Sequence, residues 1–123
     1  MAVVNGPTGM FGIPSELENP LRISSLLFTT TPLGGGGTVT VGPEAVNFLG
    51  VLVGSVFSDV AGTLFVEQTN DAVNFDDSQT FIIPAGVGIG FEVKIRGFQQ
   101  RLRYVNGVGA QATFRLFGCY RGI

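Results

Sequence analysis

The sequence predicts an all-β protein, an antiparallel β-sandwich or small barrel with an extended N-terminal arm. Three observations predict it. Apolar and polar residues alternate strictly in "GFEVKIRG" (90–97) and "QRLRYVNG" (100–107), the period of a half-buried strand. Turn chemistry built from Gly, Pro, Asn and Asp recurs about every ten residues. Almost nothing in the chain spaces its apolar residues at helical intervals.

Residues 1–20 form the arm. Gly6, Pro7, Gly9, Gly12, Pro14 and Pro20 break every periodicity there, yet Val3, Val4, Met10, Phe11 and Ile13 are apolar. A disordered tail is normally polar, so these five are expected to lie on a neighbouring protein. "SELEN" (15–19) offers one helical turn, with Ser15 as cap and Glu18 at the capping-box position, and Pro20 ends it. Residues 21–123 make the sandwich. "LRISSLLFTTT" (21–31) is the first strand, closed by Pro32 and the Gly34–Gly37 run, and "TVTV" (38–41) is the second. Pro43 and Glu44 suggest a helical turn before "VNFLGVLVGSVFS" (46–58), whose apolar character on both faces predicts a doubly covered central strand. Asp59 to Gly62 is a turn, "TLFVEQT" (63–69) a strand, "NDAVNFDDS" a turn or short loop, and "TFII" (80–83) the next strand. In 90–97, Phe91, Val93 and Ile95 point inward and Glu92, Lys94 and Arg96 outward. In 100–107, Leu102 and Tyr104 point inward, and Asn106-Gly107 signals a hairpin turn. "AQATFRLFG" (110–118) closes the series, with Ala110, Ala112, Phe114 and Leu116 on the core face and Gln111, Thr113 and Arg115 opposite. Strand order is not readable.

The composition narrows the function. A chain of 123 residues is one domain, long enough to bury a core without disulfide or metal. Hydrophobic residues reach 45% while charged ones stop at 13%, about half the usual charged share, which points to surface meant for other protein, the alternative being a neutral monomer covered by Gly, Ser and Thr. With no histidine, the commonest general base, the Ser-His-Asp triad and most zinc sites are gone. Cys119 is the sole cysteine; it reads as a small core residue at the end of an apolar strand. No basic leader opens the chain and the apolar run "FLGVLVG" is far short of a membrane span. Synthesis in a cytoplasm, no membrane and a soluble subunit before assembly are expected.

Charge is divided along the chain. All nine acids precede Lys94, where Arg22 is the only base, and the other six bases follow with no acid. Two readings stand. The halves pair within one sheet, for example Glu67 and Glu92 across from arginines; or Lys94, Arg96, Arg101, Arg103 and Arg115 make a basic sheet face that meets an acidic surface on a copy or partner. At a net charge of −2, nucleic acid is a poor partner. "DAVNFDD" has the oxygens of a calcium loop but neither its spacing nor its terminal glutamate, so the Asx residues are expected to satisfy their own backbone. "PLGGGGT" lacks the lysine of a phosphate loop. Glu67, Asp71 and Asp76 are the only carboxylates that suggest a hydrolase, and they lie mid-strand and on a turn. No catalytic residue, cofactor or metal ligand is assigned, and no enzyme is expected. A sugar site would stack a ring on an exposed Trp or Tyr; with no Trp and Tyr104 on the core face, only Tyr120 is left.

The stretch from Ser58 to Phe117, "SDVAGTLFVEQTNDAVNFD", a Pro-Ala-Gly break and then "FQQRLRYVNGVGAQATFRLFG", resembles a module of small structural proteins of tailed bacteriophages and prophages. In that pattern an "S-D-x-x-G-x-L" turn and strand leads to a "D-G-x-N-W-D" turn and an "R-x-x-Y-x-N-G" strand. Here Ala72 stands for the glycine and Phe75 for the tryptophan. The resemblance covers about half the chain, carries no catalytic signature, and implies a β-sandwich virion component. With the apolar arm and the low charge, it sets the expectation of a capsid decoration (cement) protein. Such a subunit would contact its own copies as a homo-oligomer, a trimer being one option, and other virion proteins such as the major capsid protein. The alternatives are a tail, neck or baseplate subunit, or a carbohydrate-binding adhesion module.

Overall fold

In the computed structural model, residues 23–45 and 50–122 are described, and every regular element among them is a strand. These are β1 (Ile23–Thr29), β2 (Thr38–Ala45), β3 (Gly50–Ser58), β4 (Gly62–Thr69), β5 (Asp77–Ile83), β6 (Ile89–Lys94), β7 (Gln99–Asn106) and β8 (Phe114–Gly122). They form two four-stranded antiparallel sheets, one in the order β1-β8-β3-β6 (sheet I) and the other β2-β7-β4-β5 (sheet II).

The order has a simple origin. β4 pairs β5, β3 pairs β6, β2 pairs β7 and β1 pairs β8, so the chain is one long hairpin nested about the turn between β4 and β5. Folding that ribbon over on itself adds the β3–β8 and β4–β7 ladders and gives a double-sheet jelly roll. The aspartate-rich tract is therefore the apex of the fold. The arm, residues 3 to 13 included, and "SELEN" lie outside the described residues.

Alternation places the core. Leu52 and Val56 of β3, Leu64 and Val66 of β4, Leu102 and Tyr104 of β7, and Leu116 and Tyr120 of β8 are all buried between the sheets. Phe91, Val93 and Ile95 point inward as the alternation requires, and Glu92, Lys94 and Arg96 are exposed.

Several expectations are corrected. β2 runs on through Pro43, where a helical turn was expected; as an edge strand it can hold a residue without an N–H, and the register shifts between Val41 and Glu44. Asn106-Gly107 is no hairpin, because β7 and β8 belong to different sheets. The Asn106 amide instead donates to the carbonyls of Gly34 and Gly109 at 2.9 and 2.8 Å, tying the crossing loop down. In that loop Gln111 is buried and Ala110 and Ala112 are exposed, the reverse of the strand reading, since β8 starts only at Phe114. Gln111 donates to Ser58 Oγ at 2.8 Å and its Oε1 accepts the Leu33 N–H at 2.8 Å. Among the described residues β3 is covered on one face only, where two covered faces were expected: on the other, Val51, Val53 and Phe57 are half-buried and Ser55 is exposed. Cys119 lies half-buried on the outer side of sheet I, since strand parity turns Gly118 and Tyr120 to the core.

Candidate functional site

Three surfaces can carry function: the apex loop, the outer face of sheet II and the outer face of sheet I.

The apex loop follows the Asx reading. Asp71 Oδ1 accepts the N–H groups of Val73 and Asn74 at 2.9 and 2.7 Å and the Thr69 hydroxyl at 3.0 Å, while Oδ2 accepts the Asn74 amide at 2.8 Å. These bonds, the Asn74 and Val73 backbone first, hold the Asp71 carboxyl far below the ordinary range. Asp77 takes a two-pronged ion pair from Arg96, at 2.7 and 2.8 Å. Asp76, Asn70 and Gly97 complete the rim of a shallow depression of about 270 Å³ at this end of the sandwich. Two of its three carboxylates are thus already engaged, and no group of three His, Cys, Asp or Glu among the described residues is placed to hold a metal.

Ala72 sits at φ 66°, the left-handed region that disfavours a Cβ. This is the position where the resembling pattern has glycine. Its N–H is held by Thr69 Oγ1 at 3.1 Å. Ala72→Gly should relieve the strain, less the entropy glycine loses on folding, and stabilise by roughly 0.5 to 1 kcal/mol. Chemical denaturation measures it; an unchanged or lower midpoint contradicts the strain.

The outer face of sheet II answers the charge question in part. Glu67 is in register with Arg101, and its carboxylate accepts Arg101 Nε at 2.8 Å and Arg103 Nη2 at 2.9 Å. Arg101 lies 3.6 Å over the Phe75 ring and Arg103 4.2 Å over Phe65. Phe75, in the place of the pattern's tryptophan, thus has a guanidinium partner of its own chain. The five basic residues do not share one face. Arg101 and Arg103 are on β7, Lys94 and Arg115 on β6 and β8 of the other sheet, and Arg96 follows β6. Arg115 lies 4.6 Å over Phe57.

Burial pushes the Glu67 carboxyl up, but the hydrogen bonds and charges of Arg103 and Arg101 outweigh it and the net shift is down. A folded-state pKa below the unfolded one contributes stability above the unfolded pKa and loses it as pH falls through the folded pKa. Asp59, which accepts the N–H groups of Ala112 and Thr113 at 3.1 Å, and Asp77 are lowered in the same sense. Stability should hold down to about pH 5 and decline below the ordinary glutamate value of 4.5. Glu67→Gln should cost about 2 kcal/mol at neutral pH, since two guanidiniums are left facing each other, and should flatten the acid limb. Melting curves between pH 3 and 7 test both; equal acid limbs would be the contrary result.

Sheet I presents the third surface. Phe28 and Phe117 face each other across β1 and β8 and stack at 5.7 Å with 7° between ring planes. Phe28 is 53% exposed. Val51, Val53, Phe57 and Cys119 continue this outer face. Beside Phe117, Ser55 and Gly90 oppose each other and leave a trough of about 280 Å³ walled by Phe57, Ile89, Arg115 and Phe117. Both tyrosines are fully buried, so the ring left over for a sugar, Tyr120, is unavailable. Residue-by-residue alternation hid this face: an apolar run such as "GVLVGSVF" signals a strand without saying which side stays bare.

Fold and surface together define a class: a double-sheet jelly-roll domain whose carboxylates Glu67, Asp71 and Asp77 are engaged within the chain and whose sheet I carries apolar residues on its outer face between charged ones. The chain belongs to the family described as the N-terminal domain of the uncharacterised protein YqxG, which it matches over residues 27–120. Among solved structures it is similar to the PBSX exported protein XepA, with a TM-score of 0.74 and 21% identity over 81% of this chain and 38% of that one. That likeness is one of fold, and the chain spans well under half the length of that protein. No curated protein matches. Among the described residues no helix is long and apolar enough to cross a membrane.

Proposed function

We propose that this chain is a non-enzymatic structural subunit of a phage particle, a capsid decoration (cement) protein that binds through the outer face of sheet I. The observation that carries the reading is the stacked pair of exposed Phe28 and half-buried Phe117 on the outer face of sheet I, continued by half-buried Val51, Val53 and Phe57 between charged Glu92, Lys94, Arg115 and Arg121. Burying such a face returns about 25 cal/mol per Å² before ordering costs, and a lattice repeats the gain at every copy. The resemblance of residues 58–117 to phage structural modules supports the same reading. So does the engagement of Asp71, Asp77 and Glu67 by partners within their own chain. Tail, neck and baseplate positions would use the same face and differ in where a tagged chain is found.

The test adds purified chain to particles assembled without it. Saturable uptake is expected, together with a higher temperature of shell rupture. Phe117→Glu, which charges the outer face and leaves the core untouched, should lower uptake at least tenfold. Equal uptake of both chains, or none of either, refutes the proposal. Saturable glycan binding by the isolated chain, indifferent to Phe117→Glu, would place it with adhesion modules instead.

A further inference from the structure

We propose that Arg101 and Arg103, on the outer face of sheet II, form a receptor for a single carboxylate, the Asp or Glu side chain of a partner protein. This is the sheet opposite the one assigned to the coat contact, and the proposal stands without that contact.

The site begins with a surplus cation. The Glu67 side chain is 8% exposed, and Arg103 alone engages both of its oxygens. Arg103 Nε lies 3.2 and 3.3 Å from Oε1 and Oε2, and Nη2 lies 2.9 Å from Oε2. Arg101 adds only its Nε, at 2.8 Å to Oε1. The Nη1 and Nη2 groups of Arg101 make no hydrogen bond among the described residues, and such an edge grips a carboxylate through two parallel bonds. The side chains of Arg101 and Arg103 are 27% and 32% exposed, so both can be reached from solvent.

Both cations are held before a ligand arrives. Arg101 lies 3.6 Å over the Phe75 ring and Arg103 4.2 Å over the Phe65 ring. Each ring takes the place of water on one side of its guanidinium. An arriving anion therefore orders little that is loose and meets cations already partly stripped of solvent.

Charge and surroundings select the ligand. The ladders of sheet II set Ser78 in the row of Glu67 and Arg101, and Thr80 and Thr40 in the row of Phe65 and Arg103. Ile82, Thr63 and Thr38 share the next row with Val105. Among the described residues these rows hold two guanidiniums against one carboxylate, a single positive charge in excess. Two other acids lie close by. Asp76, next to Phe75, is exposed and makes no ion pair among the described residues; Glu44, opposite Gln100 on β2, has a partner of its own. One surplus charge, in a chain of net charge −2, is too little for a polyanion, which needs several cations in series. It matches one carboxylate. The exposed hydroxyls of Ser78, Thr40 and Thr80 supply donors and acceptors for the peptide groups around it.

The probe is a short peptide of alternating Thr and Val with one central Glu. It is titrated into the full chain while the Nε–H signals of Arg101 and Arg103 are followed by NMR. Saturable binding is expected below about 10 mM. The same peptide with Gln for Glu should bind about tenfold more weakly. Arg101→Gln should abolish that difference, and Arg101→Lys, which keeps the charge without the paired donors, should remove most of it. Arg103 still holds Glu67, so both variants should melt with the parent. If they melt early, Phe75→Leu, which uncovers Arg101 without removing it, should weaken the Glu peptide and spare the Gln peptide. No saturable binding, equal affinity for the two peptides, or a preference that survives these variants overturns the proposal. So does a stronger response to inorganic phosphate or to a single-stranded oligonucleotide than to the Glu peptide. Phe117→Glu, on the other sheet, should leave peptide binding unchanged, so particle uptake and the carboxylate response fail separately.

Discussion

Gly54→Val is expected to destabilise the protein by about 3 kcal/mol or more, a large fraction of the roughly 5 to 15 kcal/mol that holds a domain folded. Gly54 stands at the middle of β3, opposite Gly118 of β8 and opposite Phe91 of β6. An added Cβ would lie 1.9 Å from the Phe117 carbonyl oxygen and 2.6 Å from the tip of the Phe91 ring. The ring could swing aside, but the carbonyl belongs to the ladder and moves only with the strand. Gly118 is the same device from the other side, its missing side chain filled by Leu102 at 2.9 Å. The two glycines thin the centre of sheet I so that Phe91 and Leu102 fill the space their side chains would take. Gly90→Val, one row away on the outer face of the same sheet, is the control, since a Cβ there has room. Denaturant unfolding of the two variants decides it. A Gly54→Val chain as stable as Gly90→Val would mean that the sheet centre is not close-packed.

Such contrasts mark what a sequence can disclose. The strands at 90–97 and 100–107 were legible because each alternates between an apolar inner row and a charged outer one. The same alternation set Glu67 beside Arg101, and pairing within the sheet was one of two readings there. Two errors share a cause. Asn106-Gly107 and Ala110 to Ala112 were assigned from local pattern, but the loop they form spans two sheets, so its neighbours are Leu33, Ser58 and Ala61, far away in sequence. Jelly-roll nesting follows from pairing residues as distant as Phe28 and Phe117, which no window detects. Of the surfaces, the engaged carboxylates of the apex were legible as Asx chemistry. The stacked phenylalanines were not, because a bare sheet face and a covered one are written with the same residues.

Gln68→Leu is expected to cost about 3 kcal/mol although it keeps the volume and adds hydrophobicity. Parity with Leu64 and Val66 turns Gln68 inward, where it is 1% exposed. Its Oε1 accepts the N–H groups of Arg96 and Gly97 at 2.8 Å each, and the Gln100 amide at 3.2 Å. Its Nε2 donates to the Lys94 carbonyl at 2.9 Å. One side chain of sheet II thereby terminates β6 of sheet I and turns the chain toward β7. Leucine would strand two backbone donors and an acceptor, each costing about 1 to 3 kcal/mol if water cannot reach it; the rim of the depression lets some in, hence the lower total. Arg96 would shift with its backbone, so the ion pair to Asp77 should loosen as well. Hydrogen exchange resolves the two effects. The Arg96 and Gly97 amides should lose protection first, while those of β3 and β8 exchange only with global unfolding. Asp76→Asn, an exposed substitution on the same rim, should change neither exchange nor melting. Should Gln68→Leu behave like Asp76→Asn, the end of the sandwich is closed by packing alone, and the depression beside it would no longer be explained as the by-product of a buried polar clasp.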